Sequence, residues 1–295
     1  MKTLELRGIY RTGAMALESA GVADAAIDAW YLLEHVTGIT KAGFYADPFR
    51  KLSESQAEQY EELIALRAKH IPLQHITGVQ NFMGYDFKVN ENVLVPRQDT
   101  ECLVEEALKV MKSDMKILDM CTGSGCILIS LTKMARERKH FTNLQGLGLD
   151  ISEEALKVAR ENASALLGDD SITLAQSDLY SSIEGKESFR KSFDLIISNP
   201  PYICTAEIEK LADEVKLHDP FIALDGKEDG LFFYRRIIKD APEYLKSGGW
   251  LMFEIGYDQG ESVPELMKEA GFSQIVVKKD LSGLDRVVLG RYNNL

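Results

Sequence analysis

The chain has little cysteine or histidine to work with. Its four cysteines, Cys102, Cys121, Cys126 and Cys204, form no C-x-x-C pair, and its five histidines, His35, His70, His75, His140 and His218, are scattered. Neither set has zinc-ligand spacing, so no metal site is expected, and the cysteines read as small reduced hydrophobes of a reducing compartment. Long apolar runs are also missing: none approaches the ~20 residues that a membrane span needs. The opening MKTLELRGIYRTG carries charge throughout and has no apolar stretch of a secretory leader. That makes Asn162-Ala-Ser a chance match to a glycosylation acceptor, and a soluble cytoplasmic protein the expectation. Basic residues are in deficit, with 34 Lys+Arg against 46 Asp+Glu and a net charge of −12. Phosphate neutralisation dominates affinity for nucleic acids, so direct nucleic-acid binding is not expected. The sequence shows no internal repeat and no low-complexity tract.

What is there divides into three stretches. Residues 1–75 read as helical. ADAAIDAWYLLEHVTG places apolar residues at helical spacing and stops at Gly38, and SESQAEQYEELIALRAKH opens on Ser53 as an N-cap, with Pro72 just beyond. In residues 76–95, ITGVQNFMGYDFKVNENVLV alternates and carries turn signals at Gly84 and Asn90-Glu91-Asn92, which predicts a β-hairpin linker. RQDTECLVEEALKVMK then returns to helix. Within residues 96–295 strands alternate with helices. The expected strands are 116–120, 144–150, 171–176, 192–198, 249–255, 274–279 and 286–291, and the expected helices lie near 125–138, 152–167, 229–245 and 258–270. Such alternation predicts an α/β fold with a seven-stranded, mostly parallel sheet. The short LSGL between the last two strands predicts a final hairpin, hence one antiparallel strand near the sheet edge.

In an open α/β sheet, ligands bind outside the carboxyl ends of the strands, where strand order reverses. The first strand of this sheet, KILDM, runs into Cys121-Thr122-Gly123-Ser124-Gly125. The glycines permit a tight turn and close approach of a ligand, and the next helix offers free N–H groups. Leu128 stands where a dinucleotide fingerprint wants a third small residue, and no P-loop lysine follows, so neither NAD nor a nucleoside triphosphate fits. Asp150 ends the second strand; it can accept two ribose hydroxyls or cap the helix beginning at Ser152. Asp178 follows the third strand and can accept from an adenine amine, with Leu179 packing on the ring. Asp119, before the glycines, can orient them or meet an amine. A pocket with acids for ribose and adenine, backbone donors and no phosphate clamp suits S-adenosylmethionine.

The fourth strand ends in Ser198-Asn199-Pro200-Pro201-Tyr202-Ile203. The prolines fix φ and contribute no N–H, leaving their carbonyls to accept. Asn199 adds a side-chain acceptor. Two converging acceptors suit a planar –NH₂ group, and Tyr202 can stack behind its plane. An amide or aromatic amine is a poor nucleophile because its lone pair is delocalised. Holding both N–H groups orients the nitrogen and lets positive charge develop as it attacks an activated methyl.

Asn-Pro-Pro-Tyr at this position resembles the amino-group methyltransferases. PLQHITG, VLVPRQDTE, ILDMCTGSGCI, FDLIISNPPYI, DPFIALDGKEDGLFFYRRII and FEIGYDQG together look like the release factor glutamine methyltransferases, the HemK/PrmC family. The resemblance runs from residue 20 to the C-terminus. It implies a Rossmann-like S-adenosylmethionine-dependent methyltransferase fold with an N-terminal helical bundle that docks the substrate and a β-hairpin linker. The activity it implies is methylation of the side-chain amide of the glutamine in the Gly-Gly-Gln motif of class I peptide chain release factors. Asn199, Pro200 and Tyr202 would then be catalytic, Asn199 to Tyr202 would bind the glutamine, and Asp119, Cys121 to Gly125, Asp150, Asp178, Leu179 and Asn199 would bind the cofactor. A monomer is expected. This chain has Cys121 where the family usually has glycine, which adds bulk against the cofactor tail. It has Leu179 where an aromatic residue is common, making the adenine contact apolar, and PRQDTE for the usual PRPETE.

Two further readings compete. A DNA adenine methyltransferase needs extensive phosphate contacts to extrude a base; the acidic chain and the lack of an evident target-recognition domain oppose it. A non-catalytic S-adenosylmethionine-binding protein has no use for the Asn-Pro-Pro-Tyr clamp.

Overall fold

The computed structural model describes residues 4–293. The chain divides into two units: one ends at Val79 and also takes in Ala212–His218, and the other comprises Gln80–Leu211 and everything from Asp219 onward. Among the described residues no helix is long and apolar enough to cross a membrane.

The first unit is helical, as its periodicity predicts: Leu6–Ser19, Ala25–Thr37, Lys41–Ala46, Glu54–Arg67 and Leu73–Thr77. Ser53 caps the fourth of these through a full capping box. Its Oγ accepts from the Gln56 N–H at 3.1 Å, and Gln56 Oε1 accepts from the Ser53 N–H at 3.2 Å. Gly38 stops the second in the left-handed conformation, at φ 66°. Leu6, Leu17, Leu32, Leu33 and Tyr60 are buried in one core. Glycine at position 13 is required by packing, because a Cβ there would sit 2.2 Å from the Tyr60 hydroxyl oxygen. Arg67 is buried and donates to Asp28 at 2.6 Å and to Glu214 at 2.7 Å. Sequence reading did not anticipate that residues 212–218, far along the chain, belong here.

The chain leaves this unit in a two-stranded hairpin, β1 (Val79–Phe82) and β2 (Tyr85–Lys88). Met83 and Gly84, both at positive φ, make the two-residue turn whose twist matches the strands. The hairpin is shorter than residues 76–95, because the Asn90 side chain accepts from the Asn92 N–H at 3.0 Å and ends the pairing in a local turn.

The large sheet contains β3 (Lys116–Met120), β4 (Gln145–Asp150), β5 (Ile172–Gln176), β6 (Phe193–Ser198), β7 (Leu245–Glu254), β8 (Phe272–Lys279) and β9 (Asp285–Tyr292). Their order is β5-β4-β3-β6-β7-β9-β8, and β9 pairs antiparallel with both β7 and β8. The near-continuous apolar runs of the central strands follow from burial on both faces. Ile117, Leu195, Ile197 and Met252 face one core, and Leu118, Ile196, Leu251 and Phe253 the other. Each such side chain contributes roughly 1.5–3 kcal/mol on burial. Strand order reverses between β3 and β6, which therefore deliver the glycine loop and the Asn-Pro-Pro-Tyr loop side by side. Their last residues, Met120 and Ser198, are register partners, and Ser198 Oγ donates to the Met120 carbonyl at 2.6 Å.

Candidate active site

The loop after β3 is built by its own hydrogen bonds. The Thr122 hydroxyl donates to Asp119 Oδ2 at 2.6 Å, and the Gly125 N–H donates to the Thr122 carbonyl at 2.8 Å. Gly125 has φ 80°, and a Cβ on it would meet Ile129 at 2.8 Å; Gly123 has φ 55° with nothing within 4 Å of an added Cβ. Thus Gly125 is glycine first for its left-handed backbone, and the Ile129 side chain of the helix Cys126–Lys139 also packs against it. Gly123 is glycine for its backbone conformation and opens onto free space. Cys121 also lies in the left-handed region, at φ 60°. That explains why glycine is the usual residue there: a side chain in this conformation costs about 1–2 kcal/mol.

Asp150 latches this loop. Its Oδ2 accepts from the Gly123 N–H at 2.8 Å and its Oδ1 from the Ser152 N–H at 2.9 Å. The cap of the helix Glu153–Leu166 is Ser152, whose Oγ accepts from the Ala155 N–H at 3.1 Å. Burial raises the pKa of Asp150, opposed by these backbone donors. Each oxygen retains lone-pair capacity for a further donor.

One cavity gathers most of the expected residues: Cys121, Thr122, Gly123, Ser124, Asp150, Asp178, Leu179, Asn199 and Pro201. Pro200 is buried, and Asp119 lies wholly inside the protein; neither they nor Gly125 and Tyr202 line the cavity. Tyr202 turns inward, where its hydroxyl donates to Glu254 Oε1 at 3.2 Å and its carbonyl accepts from Gln259 Nε2 at 3.1 Å. Asp178 is already paired, with its two oxygens accepting from Arg236 at 2.9 and 3.1 Å. Leu179 is buried at φ 48°.

Several residues at the site had no role in the sequence reading. Thr100 lines the cavity and accepts from Asn199 Nδ2 at 3.3 Å. Asn162 is buried and bonds both the N–H and the carbonyl of Lys88 and the carbonyl of Ser124, fastening the hairpin to the glycine loop. Pro220, Ile222 and Ala223 wall the cavity. Gly226 packs so tightly on Tyr202 that a Cβ would lie 2.7 Å from the tyrosine's carbonyl carbon. The signal for Thr100, Glu254 and residues 219–226 was present in the quoted motifs; their contacts were not.

Two buried carboxyls are held far from their ordinary range. Burial pushes Asp119 up to about 7, against the Thr122 hydroxyl and with the help of the Asp150 charge. Burial likewise pushes Glu254 up to about 7, against Thr100, Arg286 and Tyr202. A pKa raised on folding means that the folded state keeps its proton where the unfolded chain has lost it. The resulting stability is fully present below the ordinary carboxylate pKa and is lost as pH rises through about 7. The melting temperature is therefore expected to fall from pH 6 to pH 8, and to fall less in Asp119→Asn. Equal slopes for the two proteins in thermal melts would refute the assignment for Asp119.

Comparison with known proteins bears on this arrangement. Residues 9–78 match the family profile described as PrmC N-terminal domain, and residues 111–280 match one described as Methyltransferase domain. The chain is 40% identical over 275 residues to the release factor glutamine methyltransferase of Geobacter sulfurreducens, covering 93% of this chain and 92% of the relative. It is 40% identical over 295 residues to the protein of the same name from Caulobacter vibrioides, covering 99% and 98%. A solved methyltransferase from Pyrococcus furiosus, 16% identical, superposes with a TM-score of 0.50 over 72% of this chain and 91% of its own. That likeness concerns the fold alone.

Proposed function

The chain belongs to the release factor glutamine methyltransferases, and from that premise we propose that its substrate is the glutamine of the Gly-Gly-Gln motif of class I peptide chain release factors. It is an S-adenosylmethionine-dependent protein-(glutamine-N5) methyltransferase. The observation that carries the residue-level reading is the switch point: β3 and β6, with β4 beside β3, bring the glycine loop, Asn199 and Asp150 to one cavity.

The residues present fit the cofactor. Gly123 opens onto free space, and Asp150 keeps acceptor capacity toward two ribose hydroxyls. Cys121, Thr122, Ser124, Asp178 and Leu179 complete the lining, with Asp178 pre-oriented by Arg236. Asp119 and Gly125 act from behind by shaping the loop. When bound, S-adenosylmethionine supplies a methyl group already activated by its sulfonium. The chain's part is orientation. Asn199 Oδ1 accepts one amide proton of the glutamine, a backbone carbonyl of the proline turn, whose Pro201 lines the cavity, accepts the other, and both stabilise the positive charge that grows on its nitrogen. Pro201 stiffens the loop. Tyr202 serves from inside, anchoring the clamp to Glu254 rather than stacking on the substrate. The helical unit docks the release factor, the hairpin links it to the catalytic unit, and the enzyme works as a monomer in the cytoplasm, where translation terminates.

The test is mass spectrometry of a purified class I release factor after incubation with the enzyme and S-adenosylmethionine, with duplex DNA assayed in parallel. One added methyl group on the Gly-Gly-Gln peptide is the expected result. Methylation of DNA instead, or of another site in the release factor, would refute the substrate assignment.

A further inference from the structure

Three charged side chains among the described residues line the cavity: Asp150, Asp178 and Arg97. Asp178 is already paired with Arg236, at 2.9 and 3.1 Å. Asp150 holds the glycine loop and faces the ribose. Arg97 is the one cation, and neither the ribose nor the glutamine clamp accounts for it.

Arg97 stands at the clamp side of the cavity. It directly precedes the helix Gln98–Val110, and its carbonyl accepts from the Thr100 N–H at 3.1 Å. Thr100 in turn meets Asn199. The guanidinium is also held from within. Its Nη2 donates to Asp219 Oδ2 at 2.7 Å, and the Asp219 side chain is fully buried while that of Arg97 is 44% exposed. A guanidinium is a planar fork with five N–H donors. Asp219 takes one of them, which leaves others for an acceptor inside the cavity that Arg97 lines. An arginine can bridge two carboxylates in this way, where a lysine offers only a point charge.

S-adenosylmethionine carries one anionic group, the carboxylate of its methionine end. Its sulfur bears three substituents. With the adenosyl group at Asp150 and the methyl group at Asn199, the amino-acid chain takes the remaining part of the cavity. A carboxylate removed from water there needs a counter-charge, and Arg97 is the cation available. We propose that Arg97 binds the methionine carboxylate of S-adenosylmethionine, and that Asp219 is a positioning residue that holds the guanidinium for it. The pair also ties this end of the cofactor to the cavity wall, since Pro220, Ile222 and Ala223 follow directly after Asp219. The inference rests on the cavity being the cofactor site.

Calorimetry with two ligands tests it. Hydrogen bonds between charged groups contribute about 1.5–3 kcal/mol, so the wild type is expected to bind S-adenosylhomocysteine roughly 10- to 100-fold more tightly than its decarboxylated form. That form keeps the adenosine, the thioether and the ammonium. In Arg97→Gln the difference should shrink to within about threefold, while the penalty for removing the ribose 2′-hydroxyl stays as in the wild type. Arg97→Lys retains a charge for Asp219 but lacks the fork; it should lose most of the difference as well, and it decides alone if Arg97→Gln melts below the assay temperature. Asp219→Asn should reduce the carboxylate difference and spare the ribose difference, which a general loosening of the site would not do. The KM for the release factor should stay within about threefold in Arg97→Gln. An undiminished carboxylate difference in Arg97→Gln would overturn the assignment, and with it a raised KM would place Arg97 on an acidic group of the release factor instead. No difference in the wild type would show that the carboxylate is not held at all. A wild type that fails to bind S-adenosylhomocysteine would overturn the reading of the cavity itself.

Discussion

Asn199→Ala is expected to lower kcat for release-factor methylation by ~10²-fold or more while S-adenosylmethionine binds almost as tightly as before. The reacting nitrogen is an amide, and its lone pair must be drawn out of conjugation and held in line with the methyl group. A fixed acceptor at one N–H both orients the nitrogen and stabilises the charge that develops as the bond forms; it acts mainly in the transition state, so its loss appears in kcat. Asn199 is well suited to this: it follows β6 at the switch point, the adjacent prolines stiffen its backbone, and Thr100 fixes its side chain at 3.3 Å. The cofactor latch at Asp150 belongs to a different strand and should be untouched. Single-turnover kinetics with calorimetry on the same preparation separates the two effects. A fall of less than tenfold in kcat would show that Asn199 does not clamp the reacting amide.

Asp150→Ala is expected to do the reverse, weakening S-adenosylmethionine binding by roughly 10²-fold or more, because hydrogen bonds to a charged acceptor contribute about 1.5–3 kcal/mol each. Part of that loss would come from the loop itself, since the carboxylate also holds the N–H groups of Gly123 and Ser152. Coupling to the ligand isolates the direct part. In the wild type, the 2′-deoxy analogue of S-adenosylhomocysteine should bind at least ~10-fold more weakly than S-adenosylhomocysteine, and in Asp150→Ala that difference should vanish. If the difference persists in the variant, Asp150 latches the glycine loop and does not touch the ribose.

The sequence by itself determined the elements and most of the chemistry. KILDM and FDLIIS could only be strands buried on both faces, Ser53 and Gly38 marked helix ends that the fold uses, and the glycine loop, Asp150 and Asn-Pro-Pro-Tyr announced a site for an activated methyl and a planar amide. These signals are local: periodicity, caps, turns and short motifs act within a few residues. Only the tertiary structure decided who meets whom. Thr100 reaches Asn199 across 99 positions, Asn162 binds Ser124 across 38, and Glu254 receives Tyr202 across 52. The same holds for Arg236 on Asp178, for residues 212–218 joining the helical unit, and for Tyr202 facing the core instead of the cavity. Strand order set these meetings. A parallel sheet places β6 next to β3 and β7 next to β6 whatever their separation along the chain, and side chains at the strand ends then find partners that no local pattern encodes.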